Sequence, residues 1–234
     1  MEFDTSTRQA FFTFLLRIAD DRLILGHRLS EWCGHGPILE EDIALGNIAL
    51  DLLGQSSALL QLTAEIENNN RNEDDLTYLR DVIDFKNCKL VELPKGDFAC
   101  TIARQFFFSV YSKLLFEQLQ KSSSETLAGI SSKAIKETSY HIRHSEQWML
   151  RLGDGTEESH SRLQNAVNEL WSYTNEMFFT DEVEKVLTEA TLTYPLHASI
   201  FMHTGGKQGV HSEQLGFLLA ELQYMQRVFP GSNW

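Results

Sequence analysis

The segment KETSYHIRHSEQW places Glu137, His141 and His144 on one side of a helix, because residues four and seven apart share a face of a 3.6-residue turn. One carboxylate and two imidazoles in that array are donor types of a carboxylate-bridged di-iron site. Such a site is assembled inside a four-helix bundle from one Glu on each of two helices and a Glu-x-x-His pair on each of the other two. Most of that set is missing here. The two helices expected over Thr7–Trp32 and Glu40–Glu67 offer Asp20 and Asp51, but Gly54 stands three residues after Asp51, and no histidine occurs between Gly36 and Asn70. In the next long helix the central residues are Arg104 and Gln105, the one carboxylate between Asp97 and Glu125 is Glu117, and the residue three after Glu137 is Tyr140. The expectation is therefore a metal-free interior in which Asp20, Asp51, Arg104, Glu137 and His141 form one buried hydrogen-bonded network, since buried charges persist only when paired. The competing reading is an unconventional iron site made from Asp20, Asp51, Glu137 and His141, with oxidase chemistry of its own.

The elements that would position these groups are helical almost throughout. The first helix stops at Gly34 and Gly36-Pro37, and the second starts on Glu40-Glu41-Asp42, whose charges suit a helix N-terminus. NNNRNEDD breaks the pattern. A short helix over Asp75–Asp81 and the irregular stretch DFKNCKLVELPKG follow, then a helix capped by Asp97 and reaching Lys121, and another from Ser124 to Gly153. Phe98, Ile102, Phe106, Val110 and Leu114 form one stripe of the third long helix, and Phe107, Tyr111 and Leu115 a second. A helix apolar on so many sides belongs in the middle of a bundle. A fifth helix over Thr156–Phe178, an irregular or short helical stretch through Pro195 and a last helix over Val210–Val228 complete an all-α chain. No alternation argues for a sheet. The fold class is a ferritin-like four-helix bundle with peripheral helices, a single domain over residues 1–234, and a degenerate di-iron site.

Composition excludes several roles. A formal charge of -13 and a pI near 5 oppose binding to nucleic-acid phosphates. The N-terminus lacks the basic start and apolar run of a signal peptide, and no unbroken apolar stretch matches a bilayer, so a soluble, cytoplasmic protein without membrane attachment is expected. Cys33, Cys88 and Cys100 fit neither a disulfide framework nor a zinc pattern and read as reduced, mostly buried thiols. The turn TGGKQG, Thr204 to Gly209, resembles a phosphate cradle but lacks P-loop spacing, and a helix-entry turn is the preferred reading. Cys33 with His35 supplies too few ligands for zinc, and Ser145 beside His144 makes no catalytic triad.

The strings RLSEWCGHGP (28–37), NIALDLLGQ (47–55), GDFACTIARQFFF (96–108), SSKAIKETSYHIRHSEQWMLRLGDGT (131–156) and TGGKQGVHSEQLGFLLAELQYMQRVFPG (204–231) resemble the family of C-type subunits of bacterial 1,2-phenylacetyl-CoA epoxidases. The similarity runs along nearly the whole chain. It implies a structural component without a cofactor that pairs with and supports the catalytic, A-type subunit. That partner would hold the di-iron centre, and a reductase subunit with NADPH, FAD and an iron-sulfur cluster would deliver electrons. The resemblance further implies contacts with the CoA moiety of phenylacetyl-CoA at Asp84, Phe85, Lys86 and Asn87 and at Lys185, Val186 and Leu187. Loop residues beside a rigid bundle suit such contacts. The family pattern has additional helical sequence between the positions matching Asp181 and Thr191, which this chain crosses in a few residues, so the second contact set departs from the family. Other subunits of the complex are further partners, and the isolated chain is expected to self-associate. A free-standing CoA-ester binding scaffold is the remaining alternative.

Overall fold

The computed structural model describes residues 4–177, 181–195 and 201–232, and among them there is no β-strand. Four long helices make the bundle: α1 (Thr5–Ser30), α2 (Leu39–Glu67), α5 (Phe98–Leu119) and α6 (Glu125–Gly153). Between α2 and α5 run the short helices α3 (Glu73–Tyr78) and α4 (Lys89–Glu92). After the bundle come α7 (Glu157–Trp171), α8 (Asp181–Glu189), α9 (Glu213–Leu222) and α10 (Tyr224–Val228).

Local chemistry sets most boundaries. Asp4, Asn72, Asp97, Ser124 and Thr156 each accept a backbone N–H of the first turn they precede, which satisfies donors that a helix start leaves free. Helix α2 ends where Asn68 takes a left-handed conformation at φ 55°. The fifth helix is shorter than the apolar pattern suggests: it ends at Trp171, followed by a 3-10 turn over Thr174–Glu176, and Phe178 lies outside the described residues. The expected single last helix begins at Glu213 and is interrupted at Gln223, whose buried amide donates to the carbonyls of Thr77 and Arg80 at 3.1 and 3.0 Å. A tertiary contact there overrides local propensity.

Packing puts α1 alongside α2, α5 alongside α6, and α2 against α6. Gly26 lets α1 approach α2: a Cβ there would meet Leu53 at 3.0 Å and the Ala49 carbonyl at 3.3 Å. The main core joins Leu25, Leu29, Ile48, Leu52, Phe106 and Phe107 to Trp171 of α7 and Leu215 of α9. A second cluster at the other end of the bundle unites Leu15, Leu59, Leu76 and Leu127. Residues of the outer helices thus extend the hydrophobic interior of the bundle.

Candidate functional site

The middle of α1 is buried on every side, and three consecutive charged residues leave it in three directions. Asp20 turns towards the segment before α4, where both Nη atoms of Arg80 donate to its two oxygens and the Lys86 N–H donates at 2.8 Å. Asp21 accepts the Cys88 N–H at 2.7 Å and pairs with the Lys207 ammonium. Arg22 turns into the bundle, donating to the Ile18 carbonyl at 2.8 Å and to Ser112 Oγ of α5 at 3.3 Å, with its guanidinium 4.3 Å from the centre of the Phe116 ring. All three are fully buried. Burial pulls the Arg22 pKa below the ordinary arginine value, with the Asp21 charge acting against it. Burial likewise works against the Lys207 ammonium, yet Asp21, aided by Tyr111 and Cys88, holds its pKa above that of an ordinary lysine.

The seam between α2 and α6 carries the histidines. His141 Nε2 lies 3.0 Å from Asp51 Oδ2, His144 Nε2 lies 2.8 Å from Glu41 Oε2, and Gln55 donates to Glu137 Oε2 at 2.9 Å. Glu137 also faces Lys133 at 3.5 Å. The five residues expected in one network are therefore not brought together. Asp51 and His141 meet, and Glu137 sits along the same seam with a different partner. Asp20 is drawn off by Arg80, because position 20 faces the 80–86 segment. Arg104 reaches out of the interior to the carbonyls of Leu93 and Pro94 at 2.7 and 3.0 Å and of Lys95 at 3.2 Å. Its long arm lets a buried helix position satisfy the bare carbonyls of the loop that leads into α5. The cation that does enter the bundle is Arg22, which helical spacing alone does not single out.

This donor set does not fit a di-iron pair. Among the described residues no three His, Cys, Asp or Glu side chains converge closely enough to hold a metal ion. The buried polar groups that link α1 to α5 and line α5 are the Arg22 guanidinium, the Gln105 amide and the hydroxyls of Ser109 and Ser112, none of them an anionic oxygen of the kind two cations require. Each α6 imidazole is engaged by one α2 carboxylate. The unconventional set Asp20, Asp51, Glu137 and His141 is split between the α1 surface facing Arg80 and the α2–α6 seam.

The segment implied in CoA contact is anchored more deeply than a binding loop. Phe85 and Asn87 are fully buried, Phe85 under the Arg80 guanidinium at 4.1 Å and Asn87 donating to the Cys88 carbonyl at 3.1 Å. Asp84 is exposed and Lys86 half-buried, both at a hollow of about 280 Å³ shared with Phe12, Arg71 and Arg80. In α8, Lys185 is exposed while Val186 and Leu187 are in the core. The turn Thr204–Gly209 is not a phosphate cradle. It is a 3-10 turn over Gly206–Gln208 laid against the same segment, with no room for a Cβ at Gly206, only 2.4 Å from the Asn87 carbonyl. Its Lys207 is consumed by Asp21, and Glu176 accepts the N–H groups of both Lys89 and Lys207 at 3.0 Å. Beyond the turn, His211 Nε2 lies 2.8 Å from the Phe85 carbonyl. Of the thiols, Cys88 is buried, Cys100 half-buried and Cys33 exposed on the turn after α1, which corrects the expectation for Cys33.

Helix α2 has an 18-residue window of mean hydropathy 1.3, long and apolar enough by length and composition alone to cross a bilayer, yet the charge of Asp51 interrupts it. Part of it is core packed on α1 and α6, with Asp51 at mid-helix, so it reads as a bundle helix.

One titratable group near the α9 side gives a pH signature. His27 sits beside Glu31 at a hollow bordered by Leu218, and burial pulls its pKa down to about 4 against the weaker opposing effect of Glu31. The unfolded chain then binds the extra proton between pH 6.5 and 4, so stability is greatest above pH 6.5 and falls as pH drops through that window. The expected loss is on the order of 2–3 kcal/mol. His27→Gln is expected to flatten this part of the curve, read from urea midpoints across pH.

The profile of the phenylacetic acid catabolic protein family matches residues 2–185 and 179–234. The C-type subunit of the 1,2-phenylacetyl-CoA epoxidase of Escherichia coli (strain K12) is 45% identical over 243 residues, covering 94% of this chain and 98% of that protein. With an all-helical bundle and matches of this extent, the chain belongs to the phenylacetic acid catabolic protein family.

Proposed function

We propose that this chain is the non-catalytic subunit of a 1,2-phenylacetyl-CoA epoxidase, supporting the A-type catalytic subunit that holds the di-iron centre. Electrons come from a reductase subunit using NADPH, FAD and an iron-sulfur cluster, and this chain holds no cofactor itself. The observation that carries the reading is the bundle interior: among the described residues no three His, Cys, Asp or Glu side chains converge to hold a metal ion, and the buried polar groups that link α1 to α5 and line α5 are Arg22, Gln105, Ser109 and Ser112, none of them a carboxylate. Near-complete coverage of the Escherichia coli relative supports the choice of complex.

Contact with the CoA moiety falls to the parts of the implied segments that reach solvent: Asp84, Lys86 and Lys185, with Arg71 beside Lys86 as a further cation for a phosphate. Phe85, Asn87, Val186 and Leu187 then act by fixing the backbone that carries those side chains. Purified alone, with its partner surfaces uncovered, the chain self-associates. The test is reconstitution. The catalytic subunit with reductase is expected to turn over phenylacetyl-CoA at least tenfold faster with this chain than without it, and this chain with reductase alone to show no turnover. Turnover by this chain and reductase in the absence of the catalytic subunit would overturn the reading. Tight phenylacetyl-CoA binding by this chain, with no affinity for the catalytic subunit, would overturn it equally.

A further inference from the structure

Glu92 of α4 and His211, just ahead of α9, meet in the interior: their side chains are 0 and 1% exposed, and His211 Nδ1 lies 3.4 Å from Glu92 Oε2. Nε2 of the same ring is 2.8 Å from the Phe85 carbonyl, which can only accept, so Nε2 carries a hydrogen. A neutral imidazole would then turn the lone pair of Nδ1 towards a carboxylate oxygen. Neither atom has a hydrogen-bond partner elsewhere among the described residues, so nothing else relieves that contact. Acceptor facing acceptor away from water is costly, and one hydrogen between the two atoms removes the conflict.

Two assignments supply that hydrogen: an imidazolium beside a carboxylate, or a neutral imidazole accepting from a carboxylic acid. The surroundings favour the first. Glu92 Oε1 accepts the Ser212 N–H at 3.3 Å, and Arg28 Nη2 donates to the Glu92 backbone carbonyl at 2.9 Å, so a dipole and a positive charge both support an anion at Glu92. The nearby α1 carboxylates Asp20 and Asp21 are matched by Arg80 and Lys207, the Lys86 ammonium is held on the Ile83 carbonyl at 3.0 Å, and Glu213 is exposed. His211 is the cation left for Glu92 among the described residues. We propose that His211 is a positioning residue, held as an imidazolium by Glu92, that fixes residues 84–88 against α4 and the start of α9. Nε2 ties the Phe85 carbonyl, Nδ1 ties the α4 carboxylate, and the backbone runs on through Ser212 into α9. The inference goes beyond the proposed function and does not rest on it.

The experiment is long-range proton–nitrogen correlation spectroscopy of the full chain with labelled imidazole nitrogens at neutral pH, His211 being assigned by its loss in His211→Gln. Both ring nitrogens of wild-type His211 are expected to show the shifts of protonated nitrogens. In Glu92→Gln, with the carboxylate gone, Nδ1 is expected to become an acceptor while Nε2 keeps its hydrogen on the Phe85 carbonyl. A role confined to packing would leave the Nδ1 signal unmoved by that change. In His211→Phe, amide exchange at Lys86 and Cys88 is expected to accelerate about tenfold relative to the α5 core. An unprotonated Nδ1 in the wild type overturns the inference, and because that spectrum needs no variant beyond the assignment, poor folding of the other variants does not shield it. Unchanged exchange at Lys86 and Cys88 in folded His211→Phe overturns the positioning role. Either contrary result leaves the reconstitution test of the proposed function where it stands.

Discussion

Lys207→Met is expected to lower the unfolding free energy by about 3–5 kcal/mol, because it leaves the Asp21 carboxylate buried without its cation. A hydrophobic side chain of similar length fills the space but cannot offset the desolvated charge. Asp21→Leu/Lys207→Met removes both charges and strands the Cys88 N–H that Asp21 accepts. Its cost is expected to be smaller than that of Lys207→Met, near the ~1–3 kcal/mol of an unsatisfied buried donor. Urea unfolding of the wild type, the single variants and the double variant measures the coupling. Equal losses in Lys207→Met and the double variant would show that the ion pair is not what ties the Thr204–Gly209 turn to α1.

Asp20→Leu is expected to cost a similar ~3–5 kcal/mol, with a more local signature. Arg80 is 4% exposed, its guanidinium lies over Phe85, and without Asp20 the cation and the Lys86 N–H both lose their anionic partner. Strain then falls on residues 84–88, which carry the proposed CoA contacts. Amide exchange at Lys86 and Cys88 is expected to accelerate before that of the α5 core. Asp20→Leu/Arg80→Met, with both charges gone, is expected to recover part of the loss. Uniform acceleration across the chain would mean that Asp20 supports the whole bundle and does not position the segment.

The long helices were legible because their boundaries are written in local chemistry. Asp97 and Ser124 cap α5 and α6 as their positions suggest, and the Phe98–Leu114 stripe places α5 against both α6 and α7. The split of the last helix was not legible, because it depends on Gln223 finding the carbonyls of Thr77 and Arg80, far away in sequence. The candidate site was legible in residue types and not in pairings. His141 with Asp51 follows from two helical faces meeting, whereas Glu41 with His144 uses an acid that sequence reasoning assigned to the helix dipole. Arg22, Arg80 and Lys207 are the larger omissions. Nothing in a Lys or Arg on a helix or turn says that it will be buried until the opposing carboxylate is known. The run Ala19-Asp20-Asp21-Arg22-Leu23 was nevertheless a signal: adjacent charges inside an apolar helix cannot all face solvent.

On the proposed function the iron chemistry belongs to a partner subunit, and this bundle is held by its apolar core and by buried ion pairs such as Asp20–Arg80 and Asp21–Lys207. Elemental analysis of the chain expressed with added iron, first alone and then co-purified with the catalytic subunit, tests that division most directly. The expected result is less than about 0.1 iron per isolated chain and close to two per catalytic subunit in the complex. Close to two iron atoms per chain in the isolated protein would contradict the division and return the chemistry to this chain.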